Sequence, residues 1–156
     1  MRILVCGGRN FGHVIRTKAL TEDEPAETQA RLKEYQYIQT VLNAAVLAYS
    51  KERNDYDNWL PTDITIIEGA ATGVDSAAAD FAICNYCHVV EYPADWAKHG
   101  HAAGPIRNKK MVDEGKPDLV IAFPGGKGTE NMVGYANIMG IKVIRCDGVN
   151  VPKFGE

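Results

Sequence analysis

The 156-residue sequence predicts an α/β protein with a mainly parallel five-stranded sheet, and three observations carry that expectation. Short apolar or β-branched runs recur at residues 2–6, 63–68, 88–92, 119–123 and 142–146. The segments between them carry helical signals rather than tight hairpin turns, which is the alternation of crossover-linked parallel strands. The run Leu119-Val120-Ile121-Ala122-Phe123 is apolar at every position, as a strand covered on both faces must be.

The elements follow in order. Residues 2–6 enter a strand at once. Residues 35–51 read as a helix with Ile38, Val41, Leu42, Ala45 and Val46 on one face. A strand over 63–68 leads to a helix from about 74 to 85, and residues 88–92 form the third strand. Gly104-Pro105 opens a short helix over 106–114, because proline is accommodated in a helical first turn. The fourth strand, a helix over 129–139 opened by Thr129, and a fifth strand complete the series. Right-handed crossovers favour the strand order 3-2-1-4-5, a Rossmann-like three-layer sandwich. Two segments stand outside the alternation. Residues 17–28, with Glu22, Asp23, Glu24, Pro25 and Glu27, read as a solvated acidic loop; residues 54–61 read as a turn-rich connection.

Composition bounds the function. A chain of this length is read as one domain over 1–156, burying roughly 70% of its unfolded surface. Apolar residues make up 46% and charged residues 24%, with a net charge of −3. That balance, without an extended basic stripe, argues against nucleic-acid or anionic-membrane partners. No apolar stretch reaches membrane-spanning length and no signal peptide precedes the first strand, so a cytoplasmic location is expected. Of the four cysteines, Cys6 and Cys146 fall at the ends of buried strands as small hydrophobes. Cys84 and Cys87 have redox or zinc spacing, but no second half of a zinc site follows. They also lie at a helix C-terminus, where nothing lowers a thiol pKa.

Chemistry concentrates at the carboxyl ends of the strands, where open parallel sheets take ligands near the point at which strand order reverses. Pro124, Gly125, Gly126, Lys127, Gly128 and Thr129 follow the fourth strand. A glycine loop feeding a helix N-terminus presents unpaired N–H groups and a positive dipole end, which suits a phosphate or another anion. Gly7, Gly8, Arg9 and Asn10 follow the first strand, and a loop from Gly69 through Gly73 to Asp75 follows the second. Thr129 caps its helix, donates to a phosphate, or both. Asp75 either complements its helix dipole or contacts ligand. Arg9 either pairs with an anion or stands at the surface.

Residues 93–111 are the other dense region. Arg107 and Asn108 fall in the first turn of the expected helix, close to the presumed pocket, while Lys109 and Lys110 face solvent. Trp96 either stacks on a base or covers the sheet edge. His99 and His101 have no further metal-ligand cluster beside them in the sequence, so no metal is expected.

Residues 3–11, 69–75, 93–96, 104–108 and 117–129 together resemble the YspA/YpsA-related branch of the SLOG superfamily. The matches run in order from Ile3 to about Met132, leaving the region about 17–61 as a variable insertion. The resemblance implies a Rossmann-like domain that binds nucleotides or nucleotide-derived ligands, often as a sensor, in bacteria or their phages. It also implies kinship with the LOG-type phosphoribohydrolases, which carry PGGxGTxxE and an upstream arginine. Here Arg107 and residues 124–129 match, but Met132 stands at the glutamate position. Glu130 is two residues early, and each helical residue rotates about 100°. The expectation is therefore a sensing or sequestering protein without catalytic residues, which takes a nucleotide ligand and is free to form a homo-oligomer. An N-glycosidic hydrolase using Asp75, Asp95 or Glu130 is the alternative.

Overall fold

The computed structural model describes residues 1–15, 24–52 and 60–155. Its five strands are β1 (Arg2–Cys6), β2 (Thr65–Glu68), β3 (His88–Glu91), β4 (Leu119–Ala122) and β5 (Lys142–Arg145). They form a single sheet in the order β3-β2-β1-β4-β5, with every neighbouring pair parallel. The register sets Ile3 beside Ile66 and Leu119, and Ile67 beside Val90. The protein has the α/β Rossmann-like architecture expected of its sequence.

Strand alternation divides the core into two layers. Ile3, Val5, Ile66 and Ile121 point to one face, where they meet Ile38 and Leu42 of α1 (Ala26–Glu52) and Phe81 of α2 (Val74–Cys84). Leu4, Ile67 and Val120 point to the other. There they meet Met111 of α4 (Ala103–Asp113), which follows the one-turn α3 (Trp96–His99), and Met132 of α5 (Lys127–Ile138). Fully burying one such side chain stabilises the fold by about 1.5–3 kcal/mol, so both layers hold the sheet. That sheet in turn holds the loops at its carboxyl edge.

Several boundaries differ from the sequence reading for local reasons. Helix α1 begins at Ala26 rather than 35, with the Gln29 N–H donating to the Pro25 carbonyl. Residues 26–28, read as part of an acidic loop, are therefore helical, and residues 17–23 and 54–59 of the two irregular segments lie outside the described residues. Pro61 and Asp63 belong to a 3₁₀ turn ahead of β2. Helix α4 starts at Ala103, so Pro105 is its third residue; the first-turn N–H groups have no intrahelical acceptor, and proline loses nothing there. The turn of α3 was not anticipated, although Asp95 signals it as N-cap, accepting the Lys98 N–H at 2.9 Å.

Candidate functional site

Three loops meet at the carboxyl edge because the backbone itself ties them together. The Gly8 N–H donates to the Pro124 carbonyl at 2.9 Å, and the Gly8 carbonyl accepts the Val74 N–H at 3.2 Å. Thr72 Oγ1 donates to the Arg9 carbonyl at 3.0 Å. Gly73, with φ +75°, caps α2 so close to the Gly8 and Arg9 backbone that any side chain would collide with it. Gly125 lies equally close, with its missing Cβ position 2.8 Å from the Gly8 nitrogen and against Thr129 Oγ1. Gly8, Gly73, Pro124 and Gly125 thus lock the loops in place. The Gly8 amide is engaged in that lock.

The locked loops enclose a cavity of about 430 Å³, within the range of small-molecule sites. Of the residues singled out in the sequence, Gly7, Gly8, Arg9, Gly69, Asp75 and Trp96 line it from one side. Asn108, Gly126, Lys127, Gly128 and Thr129 line it from the other, and Arg107 reaches it beside Gly69. Asn10, Gly73, Pro124 and Gly125 do not reach it. Sequence reasoning missed Cys6 and Met132 in its wall, His101 at its edge, and Asn131. The signal for Asn131 was its place on the helix that the glycine loop feeds.

The α5 side is built to donate hydrogen bonds. Gly126 is the N-cap and no side chain caps this end, so the N–H groups of Lys127, Gly128 and Thr129 keep their donors open at the cavity wall. Thr129, expected to open the helix, is its third residue. It is 6% exposed, and its Oγ1 has no hydrogen-bond partner among the described residues. Asn108, 5% exposed, braces this end. Its Nδ2 donates to the Gly128 carbonyl at 3.1 Å and to Asn131 Oδ1 at 3.0 Å, while its Oδ1 accepts from Arg107 Nε at 3.1 Å.

The α2 side carries the site's charge. The Arg107 guanidinium donates to the Gly69 carbonyl and, at 3.4 Å, to the Tyr92 carbonyl. It thereby joins α4 to the ends of β2 and β3. Burial holds its pKa below the usual arginine value, partly offset by the Asp75 charge. Asp75, 7% exposed, accepts the Ala71 N–H at 3.2 Å. Burial raises its pKa, against the pull of that N–H and of Arg107.

Behind this wall lies a group that the sequence reading passed over as a strand end. Glu68 is 1% exposed and burial pushes its carboxyl up to about 8. Its Oε2 accepts the Ala70 N–H at 2.6 Å, while Oε1 has no hydrogen-bond partner among the described residues. That bond holds Ala70 in the left-handed region, φ +56°, which costs a non-glycine residue about 1 kcal/mol or more. The bend aims the Gly69 carbonyl at Arg107 and the Ala71 N–H at Asp75.

The carboxylates of the hydrolase alternative separate sharply. Asp95 caps α3 and is exposed. Glu130 forms a bidentate pair with Arg145, both bonds at 2.8 Å, outside the cavity. Met132 is 1% exposed in the cavity wall. Only Asp75 of the three candidates lines the cavity. Among the described residues, no three His, Cys, Asp or Glu side chains gather as a metal site. No helix among them is long and apolar enough to cross a membrane.

Comparison with known proteins adds three findings. The family model described as YAcAr, the YspA, cpYpsA-related SLOG family, matches residues 30–99. The match takes in the Gly69 loop, Trp96 and much of α1. The Gene 61 protein of Mycobacterium phage D29 is 34% identical over 95 residues, covering 54% of this chain and 72% of that protein. DNA processing protein A (DprA) from Streptococcus pneumoniae, a solved structure, aligns over 92% of this chain with a TM-score of 0.41 and 14% identity; the chain spans 58% of that protein.

Proposed function

Because this chain belongs to the YspA, cpYpsA-related SLOG family, whose role is nucleotide-related ligand binding, we infer that its cavity holds a nucleotide or nucleotide-derived small molecule. One observation carries this reading: α5 opens on the cavity with an uncapped N-terminus beside Thr129 Oγ1, which has no hydrogen-bond partner among the described residues, and the Arg107 guanidinium lines the same cavity. A phosphate at that end would accept from the amides of residues 127–129 and from Thr129. A hydrogen bond to a charged group contributes roughly 1.5–3 kcal/mol, and the helix terminus adds about 0.3–2 kcal/mol. Micromolar affinity needs about 8 kcal/mol, so the phosphate end falls short by itself and the loops after β1 and β2 must contribute. In that reading the protein senses or sequesters its ligand and does no chemistry on it.

Native mass spectrometry of the purified protein for a retained small molecule, followed by calorimetry with AMP and ADP-ribose, tests this. Micromolar binding of either supports it, whereas no retained molecule and no heat of binding with either would overturn it. Asp75 sustains a second reading, N-glycosidic hydrolysis, as a buried carboxylate in the cavity wall. Released base or ribose phosphate after incubation with AMP or NAD would establish that reading in place of binding alone.

A further inference from the structure

The rim of the cavity opposite α5 carries a feature that anion binding leaves unused. The Arg9 guanidinium carbon lies 5.0 Å from the centre of the Trp96 ring, and both residues line the cavity. Each is anchored at its backbone. The Arg9 carbonyl is held by Thr72 and packed against Gly73, yet its side chain forms no hydrogen bond or ion pair among the described residues. Trp96 opens α3, whose first turn Asp95 caps, and its Cη2 lies over Gly104. The residue nevertheless remains 47% exposed, whereas tryptophan is highly buried on average.

We propose that Trp96 and Arg9 form a clamp for the planar base of the ligand, which slides between the indole ring and the guanidinium. This rests on the nucleotide reading above and assigns the other end of the molecule. Two stacked layers of about 3.5 Å each require the gap to open from 5.0 Å to about 7 Å, a movement the unrestrained Arg9 side chain supplies. A guanidinium stacks on a base as it stacks on an indole, by its flat, weakly hydrated face. The resting Arg9–Trp96 contact is the weak kind formed at exposed sites, and base–aromatic stacking outweighs it. Stacking recognises any base by its π-face, so the clamp contributes affinity for nucleotides as a class and little preference among bases.

The test compares AMP with ribose 5-phosphate by calorimetry. The wild-type protein should bind AMP about 5–150-fold more tightly, the range of one base stack. Trp96→Ala and Arg9→Ala should each narrow that ratio and leave ribose 5-phosphate affinity nearly unchanged, while Trp96→Phe retains part of it. In a Trp59→Phe background, which leaves Trp96 as the sole fluorophore of its kind, AMP should quench the emission and ribose 5-phosphate should not. Equal wild-type affinity for the two probes, or equal losses for both in Trp96→Ala, overturns the clamp while leaving the phosphate end intact. Binding of neither probe overturns the nucleotide reading and the clamp with it.

Discussion

Substituting Gly126 by valine separates the proposed phosphate site from the stability of the fold. Gly126 lines the cavity as the N-cap of α5, and a Cβ built there meets no atom within 4 Å. The added methyl groups therefore enter the open space beside the first-turn amides without pushing on the protein. Blocking two of those amides removes two hydrogen bonds to a charged group, about 1.5–3 kcal/mol each. The combined loss is a fall of roughly 10²–10⁴-fold in affinity. Replacing glycine by valine at an N-cap costs about 1 kcal/mol of stability, or about 2–4 °C in Tm for a chain of this size. Calorimetry with AMP and a thermal melt of the same preparation read both quantities. Gly125→Ala is the contrast, since its Cβ would collide with Thr129 Oγ1 and approach the Gly8 nitrogen at 2.8 Å; it should lower Tm far more. Unchanged AMP affinity in Gly126→Val, with the protein folded, would refute the placement of the phosphate. A collapse of the melt as large as that of Gly125→Ala would refute the geometry.

Three further outcomes follow from buried groups. With its carboxyl raised from 4.5 to about 8, the folded state holds a proton on Glu68 that the unfolded chain has already released. The stability this contributes is full below about pH 4.5 and declines as pH rises towards 8; urea midpoints at acid, neutral and alkaline pH should flatten in Glu68→Gln, and parallel curves for the two proteins would contradict the assignment. Burial raises the Cys6 thiol to about 12, so iodoacetamide at mildly alkaline pH should label exposed Cys84 and spare Cys6 in the native protein, as peptide mass mapping would show. Asn108→Ala leaves the Gly128 carbonyl and Asn131 Oδ1 without their donor and should lower stability by about 1–3 kcal/mol, measured by denaturant unfolding; no loss would mean that this bracing is not structural.

Much of the fold was legible because its signals are local. Strand β4 is apolar at each position since both faces are covered, and the helix face of Ile38, Val41, Leu42, Ala45 and Val46 is the face that the core buries. Loop glycines were legible as a set, because close approach of backbone segments demands them wherever they occur. Their individual tasks were not. Gly8 and Gly125 resemble Gly126 and Gly128 in the sequence, yet the first two brace loop against loop while a Cβ at either of the second pair would meet open space. Helix starts were misplaced for a related reason: Thr129 and Pro105 each suit a first turn generally and do not specify which position in it.

By itself the sequence determined the strand order, the edge of the sheet at which the loops gather, and the absence of a glutamate at Met132. The first two follow from residue type and periodicity along short stretches of chain, and the third from the resemblance to the PGGxGTxxE motif. Only the tertiary structure decided which donors stay open, because a backbone N–H is free or engaged according to what the rest of the chain brings against it. Pro124 engages the amide of Gly8, more than a hundred residues earlier in the chain, and no side chain caps α5. It likewise decided that Glu68 is a buried carboxyl holding the Gly69–Ala71 turn, and that Arg9 rests on Trp96. Burial and stacking are properties of juxtaposed segments, and no single segment contains them.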